Sequence, residues 1–186
     1  MNILFIFTYL TWLLSEIYLN RFLRSNNTDK QNADKNSLLL IWIVIIVTII
    51  TALFITNSIY CPISSHTAIR FIGLCIIIIG VLLRLYIVAS LGNFFTVTVT
   101  IRQDHQLKKD GFYKYLRHPS YAASLLSFIG YGVTLNNWMS LLVIVFAILS
   151  VFIIRIRIEE RVLIGHFGSA YLDYKKTTKA IIPFIY

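Results

Sequence analysis

An arginine and a glutamate four residues apart, in the stretch RIRIEE at 155–160, form a pair that can do chemistry. Side chains at this spacing share one face of a helix, so Arg155 and Glu159 can meet the same ligand or each other. Isoleucines surround them, and ionisable groups in apolar surroundings usually serve a site or find a partner. The pair predicts a site for charged ligand groups or an ordinary ion pair within one helix. We interpret Glu160 and Arg161, one step around the helix, as solvated.

A second candidate is the stretch LRHPSYAAS at 116–124. Pro119 suits the first turn of a helix, and the residue before a proline is pushed toward extended geometry. The N–H groups that open such a helix attract a carboxylate or a phosphate. Arg117, His118 and Tyr121 would surround them with hydrogen-bond donors and aromatic faces. The alternative is a belt of aromatic and basic residues that anchors the helix at a membrane surface.

The sequence argues against a metal site, a disulfide framework, a phosphate-binding loop and a hydrolase nucleophile. His105 and His118 are thirteen apart with no acidic or cysteine cluster beside them, so we expect no metal. Cys61 and Cys75 form no C-x-x-C pair, which argues against a disulfide framework. There is no glycine-rich phosphate loop, and Ser120 lacks the elbow motif of a hydrolase nucleophile.

The elements that must position these residues are apolar helices. The chain of 186 residues is 58% hydrophobic and only 13% charged, against about 25% charged residues in soluble domains. Five segments can be placed as transmembrane helices: 3–19, 38–59, 69–91, 119–135 and 138–154, the last continuing as a polar helix past Glu160. We therefore predict an all-α, polytopic membrane protein with a cytoplasmic cofactor-binding loop and a C-terminal helical tail. It forms one domain over 1–186, in which 1–91 holds three spans and 92–186 the functional half.

Lysine and arginine alternate between the gaps of this pattern. From the first gap to the tail the counts are four, none, five, none and six. The positive-inside rule then places the N-terminus outside and the C-terminus in the cytoplasm. The net charge of +9 fits contact with anionic membrane lipids, and because no recognition motif accompanies it we expect no nucleic acid.

This topology brings the two candidate stretches together. Segments 92–118 and 155–186 lie on the same predicted side and are joined by a tight hairpin through LNNW. Arg84 lies deep in the third span, where it must face the bundle, snorkel or pair. Glu16 is the nearest acidic candidate by depth.

Taken together, these motifs resemble the isoprenylcysteine carboxyl methyltransferases. HQLKKDGFYKYLRHPSY, followed across one hairpin by RIRIEERVLIGHFGSAYLDYKKTTKAIIPFI, carries the resemblance over about residues 92–186. The resemblance implies an integral membrane enzyme that uses S-adenosylmethionine. It implies that Arg155 is a substrate-side arginine and that Glu159 contacts the cofactor, both being catalytic. The other implied cofactor contacts are His105, Gln106, Leu107, Lys108, Tyr113, His118, Pro119, Ser120 and Tyr121.

The sequence departs from the family at two places. It has His-Gln-Leu-Lys where the eukaryotic enzymes usually have His-Thr-Leu-Val, so backbone contacts there are better supported than side-chain contacts. The stretch GNFFTVTVT at 92–100 differs from the glutamine-containing eukaryotic pattern, so the resemblance implies no cofactor contact in it.

Methyl transfer to a carboxylate fits these residues. A carboxylate is ionised at neutral pH, so the reaction needs positioned reactants rather than a base. Arginine can hold the acceptor carboxylate, and an acidic group can hold the cofactor's ammonium. Aromatic faces, with Tyr113 and Tyr121 as candidates, attract a sulfonium as they attract other cations. The lipophilic acceptor is expected to enter from the bilayer, and a prenylated protein, a lipid-like acid and a hydroxyl all stay open.

Two other classes are weighed against this hypothesis. Sterol reductases share a similar C-terminal region but use a nicotinamide cofactor, and they are larger. A non-enzymatic membrane protein, such as a small transporter, needs polar residues along a path through the bilayer. Arg84 and Glu16 are too few for such a path.

Overall fold

The fold is a bundle of apolar helices that agrees with the predicted segments. The computed structural model describes residues 3–22, 35–91 and 107–182. Their α-helices are α1 (Ile3–Phe22), α2 (Lys35–Ser58), α3 (Ala68–Leu91), α4 (Pro119–Thr134), α5 (Trp138–Phe167) and α6 (Ser169–Thr177). A 3₁₀ helix, Gly111–Lys114, precedes α4. Within the described residues the all-α prediction is confirmed, and β pairing is limited to an isolated bridge between Leu116 and Lys179.

Three helices of the described chain are long and apolar enough to cross a membrane: Ser37–Ser58, Ala68–Leu91 and Trp138–Phe167. The apolar part of α1, Ile3–Leu19, is shorter, and α4 has 16 residues. Large apolar side chains such as Phe7, Phe54 and Phe146 are about two-thirds exposed, which suits a surface that faces lipid. A membrane-embedded bundle is therefore supported, whereas the count of five spans stays a prediction.

Helix packing places α4 and α5 at the centre of the bundle. Contacts link α1 to α3, α3 to α4, α4 to α5, and α5 to α2. The backbones of α3 and α4 approach closely, and a Cβ at Gly80 would lie 2.8 Å from the backbone nitrogen of Ser127. Such close approach is how small residues let helices pack where water supplies no driving force. The core of the bundle includes Ile77 of α3 and Ile144 and Ile148 of α5, all fully buried.

A tight hairpin joins α4 to α5, as predicted. Asn136 has a positive φ of 51°, and the side chain of Asn137 caps α5 by accepting from the backbone nitrogen of Ser140 at 3.1 Å. Because α5 has 30 residues and α4 has 16, α5 extends past the start of α4 by roughly 20 Å at 1.5 Å per residue. The second half of α5 therefore runs alongside the turn that opens α4.

The hairpin between α4 and α5 also holds the loop that joins α2 to α3. The side chain of Asn136 accepts from the backbone nitrogens of Ile63 and Ser64 at 3.1 and 3.0 Å. The two inter-helix gaps without lysine or arginine thus lie at one end of the bundle. The turn before α4 and helix α6 lie at the other end.

Arg84 of α3 pairs with Glu16 of α1, which resolves the alternatives left open by the sequence. Nη2 of Arg84 lies 3.0 Å from Oε2 of Glu16, and both side chains are mostly buried. Nη1 of Arg84 also donates to the carbonyl oxygen of Ser120 at 3.3 Å.

Candidate active site

The turn before α4 is held by the chain that follows α6. The backbone nitrogen of Arg117 donates to the carbonyl of Lys179 at 2.8 Å, and that of His118 donates to the carbonyl of Ala180 at 3.0 Å. The backbone nitrogen of Lys179 donates to the carbonyl of Tyr115 at 3.1 Å. Gly168, with φ of +55°, ends α5 and lets α6 turn back toward this segment. The turn is thus held by residues 62 positions further along the chain, as in the bond from Arg117 to Lys179.

Glu159 of α5 lies at the centre of the predicted site. Its Oε1 accepts from the hydroxyl of Tyr121 at 2.6 Å and from Nε of Arg155 at 3.1 Å. Its Oε2 lies 3.4 Å from Nδ1 of His118. Three side chains, those of His118, Tyr121 and Arg155, therefore meet at the carboxylate of Glu159. The sequence had indicated all four residues.

Arg155 is among the most deeply buried side chains in the described chain, with 1% of its area exposed. Besides its bond to Glu159, its Nη1 donates to the hydroxyl of Ser37 on α2. The guanidinium thus ties α5 to α2 as well as to the site. Nothing in the sequence around Ser37 indicated this contact, because it joins residues 118 apart.

Glu160 was expected to be solvated, and that expectation is wrong. The residue is 6% exposed, and its Oε1 accepts from Nε of Arg117 at 2.6 Å. Its Oε2 accepts from Nζ of Lys175 at 2.5 Å. Because α6 and the turn before α4 both fold over α5, a position one step from Glu159 still faces protein. Arg161, by contrast, is exposed.

Arg117 completes a second cluster around Glu160. Its Nη1 donates to the carbonyl oxygens of Thr178 and, at 3.3 Å, Lys175. One guanidinium thus joins α5 to the end of α6. This cluster holds the C-terminal segment 168–182, the tail, against α5. In the other cluster, Oε2 of Glu159 faces His118.

His118 lies between the two acidic clusters. Its side chain is 7% exposed, with Nδ1 3.4 Å from Glu159 and Nε2 3.6 Å from Glu160. Burial lowers the pKa of His118, but the two carboxylates raise it more, so the net pKa is above the ordinary 6.5. Arg155 and Arg117 are already paired with the same carboxylates. Nε2 is buried and has no hydrogen-bond partner in the described part of the chain.

This raised pKa predicts a pH-dependent stability. Protonated His118 stabilises the fold, and this contribution is complete below the unfolded pKa of 6.5 and is lost as pH rises through the higher folded pKa. We expect the thermal midpoint of the wild type to exceed that of His118→Gln by a margin that is largest below pH 6.5 and shrinks as the pH rises above it. A margin that grows with pH would contradict the assignment.

The other predicted contacts are distributed around this centre. Ser120 lies in the first turn of α4, and Tyr113 is buried against Ile87 and Ala123. Nζ of Lys108 donates to the carbonyl of Ser90 at the end of α3 at 2.9 Å. Leu107 is half-buried. His105 and Gln106 lie outside the described residues.

An apolar groove of about 570 Å³ adjoins the turn. Leu116 and Pro119, on either side of His118 in the chain, line it together with Leu83 of α3 and Leu126 of α4. Ile181 of the tail closes one side. The volume lies within the roughly 300–1,000 Å³ typical of small-molecule sites, and its lining suits a hydrocarbon.

Comparisons with known proteins show which family the chain belongs to. The sequence profile of the phospholipid methyltransferase family matches residues 68–186. The protein-S-isoprenylcysteine O-methyltransferase B of Arabidopsis thaliana is 32% identical over 135 residues, which are 71% of this chain and 68% of that protein. The chain belongs to the phospholipid methyltransferase family, and its relatives are isoprenylcysteine carboxyl methyltransferases. The resemblance drawn from the sequence is confirmed.

Further relatives extend the same picture. The protein-S-isoprenylcysteine O-methyltransferase of Saccharomyces cerevisiae is 35% identical over 116 residues, which are 61% of this chain and 48% of that protein. A solved structure of the eukaryotic intramembrane Ras methyltransferase ICMT superposes with a TM-score of 0.66 at 26% identity, covering 97% of this chain and 63% of that one. The superposition thus extends to α1 and α2, which lie outside the residues matched by the family profile. The chain spans about half the length of the yeast relative.

Proposed function

We propose that this chain is a membrane-embedded methyltransferase that moves a methyl group from S-adenosylmethionine to the carboxylate of a lipophilic, isoprenylcysteine-like acceptor. The observation that carries the proposal is the meeting of His118, Tyr121, Arg155 and Glu159 at the turn before α4. Leu116 and Pro119 of the same turn line the apolar groove. The named relatives support methyl transfer rather than the reductase alternative.

The proposed topology has five spans, with the N-terminus outside and the C-terminus in the cytoplasm. It is supported by the segregation of basic residues, since both gaps without lysine or arginine meet at the hairpin end. The site lies at the other end, where a soluble cofactor and a bilayer-borne acceptor can both reach it. The chain then acts as one domain.

The residues around Glu159 fit an S-adenosylmethionine molecule better than those around Glu160. Oε1 of Glu159 accepts from Tyr121 and Arg155. Among the described residues, Oε2 has His118 as its one charged neighbour, and the side chain is 19% exposed. Both oxygens of Glu160 are taken by Arg117 and Lys175. Glu159 is therefore the carboxylate that can receive the cofactor's ammonium group.

The bound cofactor would supply an electrophilic methyl group on a sulfonium. Around it, the ring of Tyr121 is held by the bond to Glu159 and presents an aromatic face to a cation. The backbone N–H groups in the first turn of α4 offer donors to the cofactor's carboxylate. Nε2 of His118 can add a donor there, since it forms no hydrogen bond among the described residues. Leu107, Lys108, Tyr113, Pro119 and Ser120 complete the proposed contacts. His105 and Gln106 are proposed from the motif alone.

Arg155 is proposed to hold the acceptor carboxylate. A guanidinium presents its N–H donors in a planar fork, a geometry that matches the two oxygens of a carboxylate. The acceptor is already ionised at neutral pH, and the residues therefore orient it without removing a proton. The groove beside Leu116 and Pro119 would hold the acceptor's apolar tail with its reactive end toward the turn.

Calorimetry with S-adenosylhomocysteine tests this function on the detergent-purified protein. We expect micromolar binding of S-adenosylhomocysteine and none of NADPH, which a reductase would bind. Labelled methyl transfer should then reach a farnesylated cysteine with a free carboxylate, but neither its amide nor unprenylated cysteine. A folded sample that binds no S-adenosylhomocysteine would contradict the proposal.

A further inference from the structure

Arg84 and Glu16 form an ion pair that the proposed chemistry does not use. Arg84 lies seventeen residues into α3 and has 14% of its side chain exposed, while Glu16 of α1 has 17%. Ionisable groups at such depth are costly to embed, and they usually serve a functional site. An apolar pair would join α1 to α3 without that cost. The contacts of Arg84 beyond Glu16 therefore call for an explanation.

The second contact of Arg84 leads to the site. Nη1 donates to the carbonyl oxygen of Ser120, in the first turn of α4. The next residue, Tyr121, donates its hydroxyl to Glu159. Nε of Arg84 is buried and makes no hydrogen bond among the described residues, so the known hydrogen-bond and ion-pair partners of the guanidinium are Glu16 and Ser120.

These contacts connect the helices of the bundle through hydrogen bonds and ion pairs, with the covalent step from Ser120 to Tyr121 between them. The connection runs from Glu16 on α1 through Arg84 on α3 to Ser120 and Tyr121 on α4. It continues through Glu159 and Arg155 on α5 to Ser37 on α2. All five long helices contribute to it, including α1 and α2, which carry none of the family motifs.

We propose that Arg84, held by Glu16, is a positioning residue that fixes the first turn of α4 and thereby places the Tyr121 hydroxyl on Glu159. This inference rests on the proposed function, because it assigns a task at that site. An ion pair that only joined α1 to α3 would not need a donor aimed at a carbonyl of α4. With Arg84 in place, the turn is held from α3 on one side and by the tail on the other.

The decisive variant exchanges the two charges, Glu16→Arg with Arg84→Glu. It restores opposite charges between α1 and α3, but a carboxylate at position 84 cannot donate to the Ser120 carbonyl. We expect the exchange to recover the thermal midpoint lost in Arg84→Glu alone, while KM for S-adenosylmethionine stays at least tenfold above wild type. KM for the acceptor should be unchanged.

A purely structural role gives a different pattern. Loss of folded enzyme lowers kcat and leaves both KM values unchanged, and an exchange that returned the cofactor KM to wild type would overturn the proposal. Hydrogen exchange of segment 118–124 in Arg84→Met and the milder Glu16→Gln gives a readout that needs no activity. We expect faster exchange there than in the wild type, and unchanged exchange in both variants would also overturn it. If the wild type methylates no acceptor, the proposed function fails, while the exchange data still decide the role of Arg84.

Discussion

Replacing Glu159 with glutamine is expected to weaken S-adenosylhomocysteine binding at least tenfold, which corresponds to about 1.4 kcal/mol. The amide keeps the shape of the side chain but cannot form an ion pair with the ligand's ammonium. It also removes the negative charge that pairs with Arg155, a side chain only 1% exposed. Calorimetry on the purified variant measures the affinity, and the thermal midpoint reports whether the variant is folded.

Asp173→Asn is the matched control for this change. Asp173 lies on α6 at the same end of the bundle and pairs with Lys176 at 2.8 Å, but both side chains are largely exposed. Removing that charge alters the electrostatic field without touching the site, so the affinity should stay within twofold of wild type. Wild-type affinity in Glu159→Gln, measured on folded protein, would show that another group holds the ammonium.

Helix positions were predictable because long apolar runs fix them. The proline at 119 and the adjacent asparagines Asn136 and Asn137 set the ends of α4 and α5, and the described helices agree with those predictions. The pair Arg155–Glu159 followed from helical spacing alone. The depth argument for Arg84 and Glu16 was also confirmed, since apolar surroundings leave a charge few partners.

Contacts that depend on the tail were not predictable from local sequence. Glu160 meets Arg117 and Lys175 only because α6 turns back at Gly168 and its end pairs with the segment before α4. Glu160 is 43 positions from Arg117 and 15 from Lys175, and no helical periodicity links these positions. Ser37 likewise reaches Arg155 through the packing of α2 on α5.

Replacing Glu160 with glutamine is expected to destabilise the protein by about 3 kcal/mol and to release the tail from the site. Removing one partner from a buried ion pair costs about 3–5 kcal/mol, because the remaining charge is left uncompensated. Arg117, 9% exposed, bears that cost, whereas Lys175 is 44% exposed and water screens its charge. The thermal midpoint should fall by roughly 6–12 °C for a chain of this size.

Proteolysis of residues 168–182 distinguishes release of the tail from a general loss of stability. Below the thermal midpoint, Glu160→Gln should be cleaved faster in this segment than the wild type, while the helices of the bundle stay intact. The same Asp173→Asn control removes an acidic partner from the same tail, but that pair is exposed and screened by water, so its loss should leave the cleavage rate unchanged. Cleavage at the wild-type rate in Glu160→Gln would mean that the backbone bonds from Arg117 and His118 to the tail hold it without the ion pair. Faster cleavage would show that Glu160 holds the tail against the bundle. Glu159 would then be the carboxylate that binds the ligand.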